Sequence, residues 1–223
     1  MAPIIPGYEL ALRYRPACFA TGDYYDFFPR EYGGSVFIGD GSGHGPTACV
    51  LMAMMRAILQ THPEIHADPG QTLASAGQMF KTLIASDLFM TGVYLELRSD
   101  GVARWASAGH HPPIRVDRHG NASPRETAAI GLPLGVEPDE QYQTVDWRLQ
   151  PGDRVVLFTD GLVEARNDAG VPFGRNRVET VASELISRPL DEAIGELLAR
   201  AEGHLRGADF EDDFTLIGIE YNR

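Results

Sequence analysis

Apolar and polar positions alternate at the start of this 223-residue chain in short runs that predict strands over residues 8–14, 23–28 and 35–39, with 29–34 as the turn between the second and third. The pattern is that of an antiparallel opening. It then lengthens. Residues 46–59 (PTACVLMAMMRAIL) are rich in Ala, Met and Leu, with Pro at a tolerated first-turn position, and predict a buried helix. A second helix is predicted over 71–85, after Pro69-Gly70. Strand character returns over 91–98, 102–107 and 114–117, the first two joined by the hairpin turn Ser99-Asp100-Gly101. Strands over 141–149 and 154–158 flank the turn signal Gln150-Pro151-Gly152-Asp153, and helices over 175–187 and 190–205 precede a last strand at 214–221. Strands, helices, strands, helices, strand is not the regular βαβ alternation of a parallel sheet. It fits an α+β fold of antiparallel sheets with helices packed outside.

Composition narrows the class. Apolar and charged fractions of 43% and 22% are ordinary, and no stretch reads as a linker, so residues 1–223 are expected to form a single domain around one sizeable core. No apolar run approaches the roughly 20 residues that span a bilayer, and Met1-Ala2-Pro3-Ile4-Ile5-Pro6 lacks the regions of a signal peptide. Cys18 and Cys49 are too few for a disulfide framework and lack metal-ligand spacing; they are expected in the core of a cytoplasmic protein. A net charge of -12 without any Lys/Arg cluster argues against nucleic acid or an anionic membrane as partner.

Four acidic positions fall where a predicted strand meets a loop. Asp23 opens the second strand, Asp40 ends the third within Gly39-Asp40-Gly41-Ser42-Gly43-His44-Gly45, Asp160 ends the strand at 154–158, and Asp212 precedes the last one. One Asp-Gly alone is ordinarily a turn; the joint pattern is what matters. If these ends converge on one edge, they assemble an all-oxygen site from distant segments, suited to hard cations such as Mg²⁺ or Mn²⁺. Two such ions about 3.5 to 4 Å apart, bridged by one carboxylate, suit phosphate ester hydrolysis. The glycine loop is not a P-loop, since no Gly-Lys-Ser/Thr follows, nor a nucleophile elbow around Ser42, nor an EF-hand, which would need carboxylates or amides at Ser42 and His44.

The ordered segments Thr21-Gly22-Asp23-Tyr24-Tyr25-Asp26, Asp40-Gly41-Ser42-Gly43-His44-Gly45, Ala108-Gly109-His110-His111-Pro112-Pro113, Pro151-Gly152-Asp153, Phe158-Thr159-Asp160-Gly161-Leu162-Val163-Glu164-Ala165 and Asp212-Asp213-Phe214-Thr215 resemble the motifs of the bacterial stage II sporulation protein E/RsbU serine phosphatases, a branch of the metal-dependent protein phosphatase 2C superfamily. The resemblance runs from about Pro6 to Glu220. It implies an αββα four-layer sandwich, two antiparallel sheets flanked by helices, that hydrolyses phosphoserine or phosphothreonine with two Mn²⁺ or Mg²⁺ ions. It further implies Asp40 as bridging ligand and as a catalytic residue with Asp160 and Asp212. Asp160 and Asp212 would complete one metal, Asp23 and the carbonyl of Gly41 would serve the other, and Asp213 would orient the shell. A metal-bridged water would attack phosphorus directly. Eukaryotic relatives place a His directly after the Asp-Gly pair, where this chain has Ser42, so a metal-bound water rather than His44 is expected to protonate the leaving alkoxide. Their phosphate-clamping Arg has no counterpart, Phe19 lying near that place.

His110 and His111 are expected to be structural, Met52, Met54 and Met55 to be core, and Glu164 to brace the segment after Asp160; Asp26 reads equally as an acceptor behind the ligands or as a solvated strand residue. The resemblance points to a phosphorylated anti-anti-sigma (STAS-type) regulator as substrate and allows a homodimer through helices near the site. A catalytically silent phosphoprotein-binding module on the same fold is the alternative. Loss of Asp40, Asp160 or Asp212 would favour it, and all three are present. A cation-binding domain whose metals only stabilise the sheet edge is a third reading. The first strand opens near Pro6-Gly7-Tyr8, so the chain is expected to be either a catalytic fragment of a longer sensor or regulatory protein or a stand-alone enzyme.

Overall fold

Period-two runs become strands and the Ala-, Met- and Leu-rich runs become helices in the computed structural model, which describes residues 4–16, 21–31, 33–43, 45–62, 68–85 and 87–223; Cys18, Phe19 and His44 lie outside them. In chain order the strands are β1 (Tyr8–Arg15), β2 (Asp23–Arg30), β3 (Gly33–Gly41), β4 (Met90–Arg98), β5 (Val102–Ala108), β6 (Ile114–Val116), β7 (Ile130–Gly131), β8 (Val145–Arg148), β9 (Arg154–Phe158) and β10 (Phe214–Tyr221). The helices are α1 (Pro46–Thr61), α2 (Pro69–Leu83), α3 (Asp160–Glu164), α4 (Arg175–Glu184) and α5 (Leu190–Leu205). One sheet runs β1-β10-β9-β6 and the other β2-β3-β4-β5-β7, with β8 paired to β5.

Three buried clusters define four layers. Val36, Ile38, Leu95 and Trp105 of one sheet meet Val155, Leu157, Ile217 and Ile219 of the other between the sheets. Outside the first sheet, Phe158 and Leu216 pack on Leu162, Val178, Ile194 and Leu197 of α3, α4 and α5. Outside the second, Phe37 and Tyr94 pack on Leu51, Met55, Leu73 and Phe80 of α1 and α2. The central strands of both sheets therefore show apolar side chains to both faces, as a sheet covered on both sides requires. The α1 spacing of buried Ala48, Leu51, Met55, Ile58 and Leu59 is one helical face. The αββα sandwich is the architecture expected from the sequence. No helix among the described residues is long and apolar enough to cross a membrane.

Local departures have identifiable causes. The β2–β3 turn is tighter than 29–34, because Pro29 pairs with Gly34 and Arg30 with Gly33. Asp68 starts α2 earlier than 71 by accepting the N–H groups of Gly70 and Gln71 at 3.0 and 3.3 Å, an N-cap replacing two orphan donors. The expected strand 141–149 keeps only Val145–Arg148. Upstream of it Tyr142 is withdrawn into the α2 side of the core with its hydroxyl on the Leu132 carbonyl, and Thr144 bonds Gly70 N–H and Asp68. The last predicted turn of α4, 185–187, is not helical. Among the described strands one ladder is parallel, where Ser107 and Ala108 meet Ile130 and Gly131.

Candidate active site

Both sheets deliver carboxylates to one edge. Asp23 is the first residue of β2 and stands directly across from Asp40, one residue before the end of β3. The like-charged pair would be unfavourable in an ordinary ladder. From the other sheet, β9 ends at Phe158 opposite Leu216 of β10, so the segments carrying Asp160 and Asp212 leave at the same end. Here the sequence expectation is corrected: Asp160 does not end a strand but opens α3, with Thr159 at its N-cap position, because the chain turns into a helix immediately after Phe158.

The two edges are stitched by buried hydrogen bonds. Asp23 Oδ2 accepts the hydroxyls of Thr159 and Thr215 at 2.8 and 2.7 Å. Gly22 N–H donates to Asp213 Oδ2 at 3.2 Å, while the Gly22 carbonyl accepts Gly41 N–H at 3.2 Å. Glycines make the approach possible. A Cβ on Gly161 would stand 2.0 Å from the Asp213 carbonyl oxygen, and one on Gly22 would stand 2.8 Å from Asp40 Oδ1 and 3.0 Å from the Gly41 oxygen. The two oxygens by Gly22 are those assigned to a shared cation by the sequence reading.

Electrostatics identify what this edge is short of. Burial first, then the charges of Asp23, Asp160, Asp212 and Asp213, push Asp40 up to about 8. Asp23 is pushed up to about 7, chiefly by burial and against the two threonine hydrogen bonds. Asp160 is raised by burial and then by Asp212 and Glu164. Such crowding of hard oxygen donors disfavours ionisation unless positive charge joins it, and divalent Mg²⁺ or Mn²⁺ fits that donor set. Among the described residues, no three His, Cys, Asp or Glu side chains already surround one point as a closed coordination shell. The acids are gathered at the edge, not yet closed on a centre.

The neighbouring residues divide into braces and rim. Asp213 is buried and engaged with Gly22, as expected of an orienting group. Asp26 is neither of the roles weighed for it: its carboxylate accepts Tyr24 hydroxyl, Phe27 N–H and the Gln60 amide and pairs with Arg56, tying β2 to α1. Glu164 is exposed and braces nothing among the described residues, in contrast to the sequence reading. Ser42 is held to Phe89, its N–H on the carbonyl and its hydroxyl accepting the amide. Met55 is fully buried and Met52 and Met54 pack on the same core, whereas Cys49 is free and only half-buried.

His110 is structural. Its Nε2 reaches the Phe158 carbonyl at 3.1 Å, which makes that nitrogen the donor and Nδ1 the acceptor of the Thr91 hydroxyl at 2.8 Å. Thr91 lies across from Asp40, so this neutral imidazole links β9 to the strand beside the acidic edge. Burial, and secondarily His111, push His110 down to about 3. Unfolded, it takes up a proton below about pH 6.5, so its contribution is present above that value and is lost as pH falls toward 3, by up to about 1.4 kcal/mol per pH unit. The variant His110→Gln is therefore expected to melt below wild type at pH 7, with the gap narrowing at pH 4. A constant gap in differential scanning calorimetry would show that His110 is not held neutral.

Further side chains complete the surroundings. Thr159 and Thr215 have no role assigned from sequence, where they stand only within the segments that carry Asp160 and Asp212. His111, half-buried with its ring 5.4 Å from that of Phe158, is acidified mainly by burial and Arg175 and opposed by Asp160. Arg175 stands over Phe158, bonds the Pro112 carbonyl at 2.5 Å and pairs with Glu179.

The chain is similar to known proteins. The family model for stage II sporulation protein E (SpoIIE) matches residues 32–222. Phosphoserine phosphatase RsbU of Bacillus subtilis (strain 168) is 30% identical over 205 residues, covering 91% of this chain and 60% of the relative. The chain thus spans less than two thirds of that relative's length. The SiaA-PP2C domain of Pseudomonas aeruginosa superposes with a TM-score of 0.85 at 20% identity, over 96% of this chain and 86% of that one. The RsbU and RsbW domains of Rv1364c from Mycobacterium tuberculosis give 0.84 at 26% identity, over 99% and 61%.

Proposed function

This chain belongs to the stage II sporulation protein E family, and on that footing we propose that it is a metal-dependent phosphatase acting on phosphoserine or phosphothreonine in a protein. The observation that carries the reading is Asp40, a carboxylate pushed up to about 8 by burial and by four neighbouring acids gathered from both sheets. Two divalent cations held there, Mn²⁺ or Mg²⁺, would acidify an attacking water and neutralise charge on the phosphoryl oxygens.

The chain's own residues supply placement. Asp40 would be shared by the two cations, Asp160 and Asp212 would help hold one, and Asp23 with the Gly41 carbonyl would help hold the other. Asp213 holds Gly22 and thereby the loop on which Asp23 is mounted. Ser42 is tied to Phe89 on both its backbone and hydroxyl sides, which favours direct hydrolysis over a phosphoserine intermediate on this residue. The substrate we assign is a STAS-type anti-anti-sigma regulator, a choice supported by the sequence resemblance and by the phosphoserine phosphatase named among the relatives.

Purified protein is expected to hydrolyse p-nitrophenyl phosphate and a phosphoserine peptide with Mn²⁺, to lose turnover in EDTA and to regain it when Mn²⁺ is restored. Absence of turnover on both substrates at millimolar Mn²⁺ would sink the assignment.

A further inference from the structure

Asp23 is oriented from outside its own strand. Both hydroxyls that reach it converge on one oxygen, Oδ2, from Thr159 at 2.8 Å and Thr215 at 2.7 Å, and both threonines are fully buried. The direction of the Thr159 hydroxyl is fixed. Its oxygen accepts the Thr215 N–H at 2.8 Å, so its single proton goes to the carboxylate. The Thr159 N–H in turn donates to the Thr215 carbonyl at 3.0 Å, which makes the two residues one unit joining the end of β9 to β10. Asp23 Oδ1 accepts no hydrogen bond among the described residues.

Chain position gives the unit its meaning. Thr159 immediately precedes Asp160, and Thr215 lies three residues after Asp212. The carboxylate contributed by one sheet is thus gripped by the very segments through which the other sheet contributes its own. Hydroxyls in a dry interior have no water to turn to, so the grip holds one carboxylate orientation rather than exchanging among several.

We infer that Thr159 and Thr215 are positioning residues, a two-hydroxyl clamp that commits Asp23 Oδ2 to the sheet junction and leaves Oδ1 as the single oxygen this residue offers a divalent cation. This rests on the metal-dependent reading proposed above. Two donors on one oxygen also make Asp23 a one-oxygen ligand, so a cation served by Asp23 is held more weakly than one served by Asp160 and Asp212 together. Outer hydrogen-bond partners of this kind set ligand orientation, and their removal costs about 10–100-fold in metal affinity.

The variant to test is Thr215→Val, which preserves shape and leaves the Thr215 N–H on Thr159. Titration of Mn²⁺ followed by the electron paramagnetic resonance signal of the free ion is expected to show two classes of site in wild type. In Thr215→Val the weaker class should lose about tenfold in affinity while the tighter changes by less than about twofold, and Thr215→Ser should restore it. At saturating Mn²⁺ the kcat of Thr215→Val should return to near the wild-type value. A merely structural hydroxyl would lower the melting temperature and leave the Mn²⁺ isotherm unchanged, and that result overturns the clamp while leaving the phosphatase reading intact. Binding that shifts as expected, without turnover in wild type, sustains the clamp and overturns the phosphatase. Wild type that binds no Mn²⁺ overturns both.

Discussion

Asp40→Asn is expected to make the metal-free protein more stable at pH 8 while nearly abolishing its turnover. The sign follows from Asp40 being pushed up to about 8, by burial first and then by Asp23, Asp160, Asp212 and Asp213. The folded chain holds this proton more tightly than the unfolded chain, whose carboxyl ionises near 3.9. Stability contributed by the protonated group is therefore complete below about pH 4 and is lost as pH rises to about 8. Asn carries no charge to lose. Metal-free Asp40→Asn should melt above metal-free wild type at pH 8, with the difference closing toward pH 4, each kcal/mol appearing as about 2–4 °C for a chain of this size. Mn²⁺ should invert the order, since a ligand that binds only the folded state raises its stability and the variant lacks the carboxylate proposed to be shared by the two cations. Turnover should fall on the order of a thousandfold, because Lewis-acid stabilisation is worth several kcal/mol and each 1.4 kcal/mol is about tenfold. Calorimetry at the two pH values with EDTA checks the first half. A variant no more stable than wild type at pH 8 would mean that the edge does not carry the proposed repulsion.

Gly161→Ala is expected to damage both fold and chemistry, though it adds one methyl group far from any left-handed backbone requirement. The added carbon would stand 2.0 Å from the carbonyl oxygen of Asp213 and 3.3 Å from that of Asp212. Backbone on both sides leaves no flexible side chain to yield. Overpacking of this kind costs about 1–3 kcal/mol, which predicts a melting temperature lower by roughly 2–12 °C. The shift must separate α3 from the segment before β10, and with them Asp160 from Asp212. Turnover at saturating Mn²⁺ should fall at least about a hundredfold, as a misplacement near 1 Å does elsewhere. Melting and kinetics near those of wild type would show that the two segments have room that the geometry denies them.

Much of this was readable before any coordinates. The strands 154–158 and 214–221 and the helix 190–205 match their predicted ends, since each is an uninterrupted apolar pattern closed by a turn residue. The position of Asp23 opposite Asp40 follows from antiparallel pairing of β2 and β3, whereas the arrival of the segments carrying Asp160 and Asp212 from the other sheet was only a condition in the sequence. What stayed hidden depends on contacts between distant segments. Thr159 and Thr215 read as ordinary strand formers, and only the meeting of the sheets turns their hydroxyls onto Asp23. Asp26 was undecidable because its partners Arg56 and Gln60 lie on α1. The first half of the 141–149 run was misread because Tyr142 gains more by entering the α2 core than by extending a ladder.

The order β1-β10-β9-β6 places the last of the described strands between the first and its other neighbour. Residues as far apart as Tyr8 and Tyr221 are paired across it. A nascent chain on the ribosome therefore cannot close this sheet, or bring Thr215 to Asp23, until residue 221 has cleared the exit tunnel. Non-local closure of this kind is slow and leaves unpaired edges exposed meanwhile.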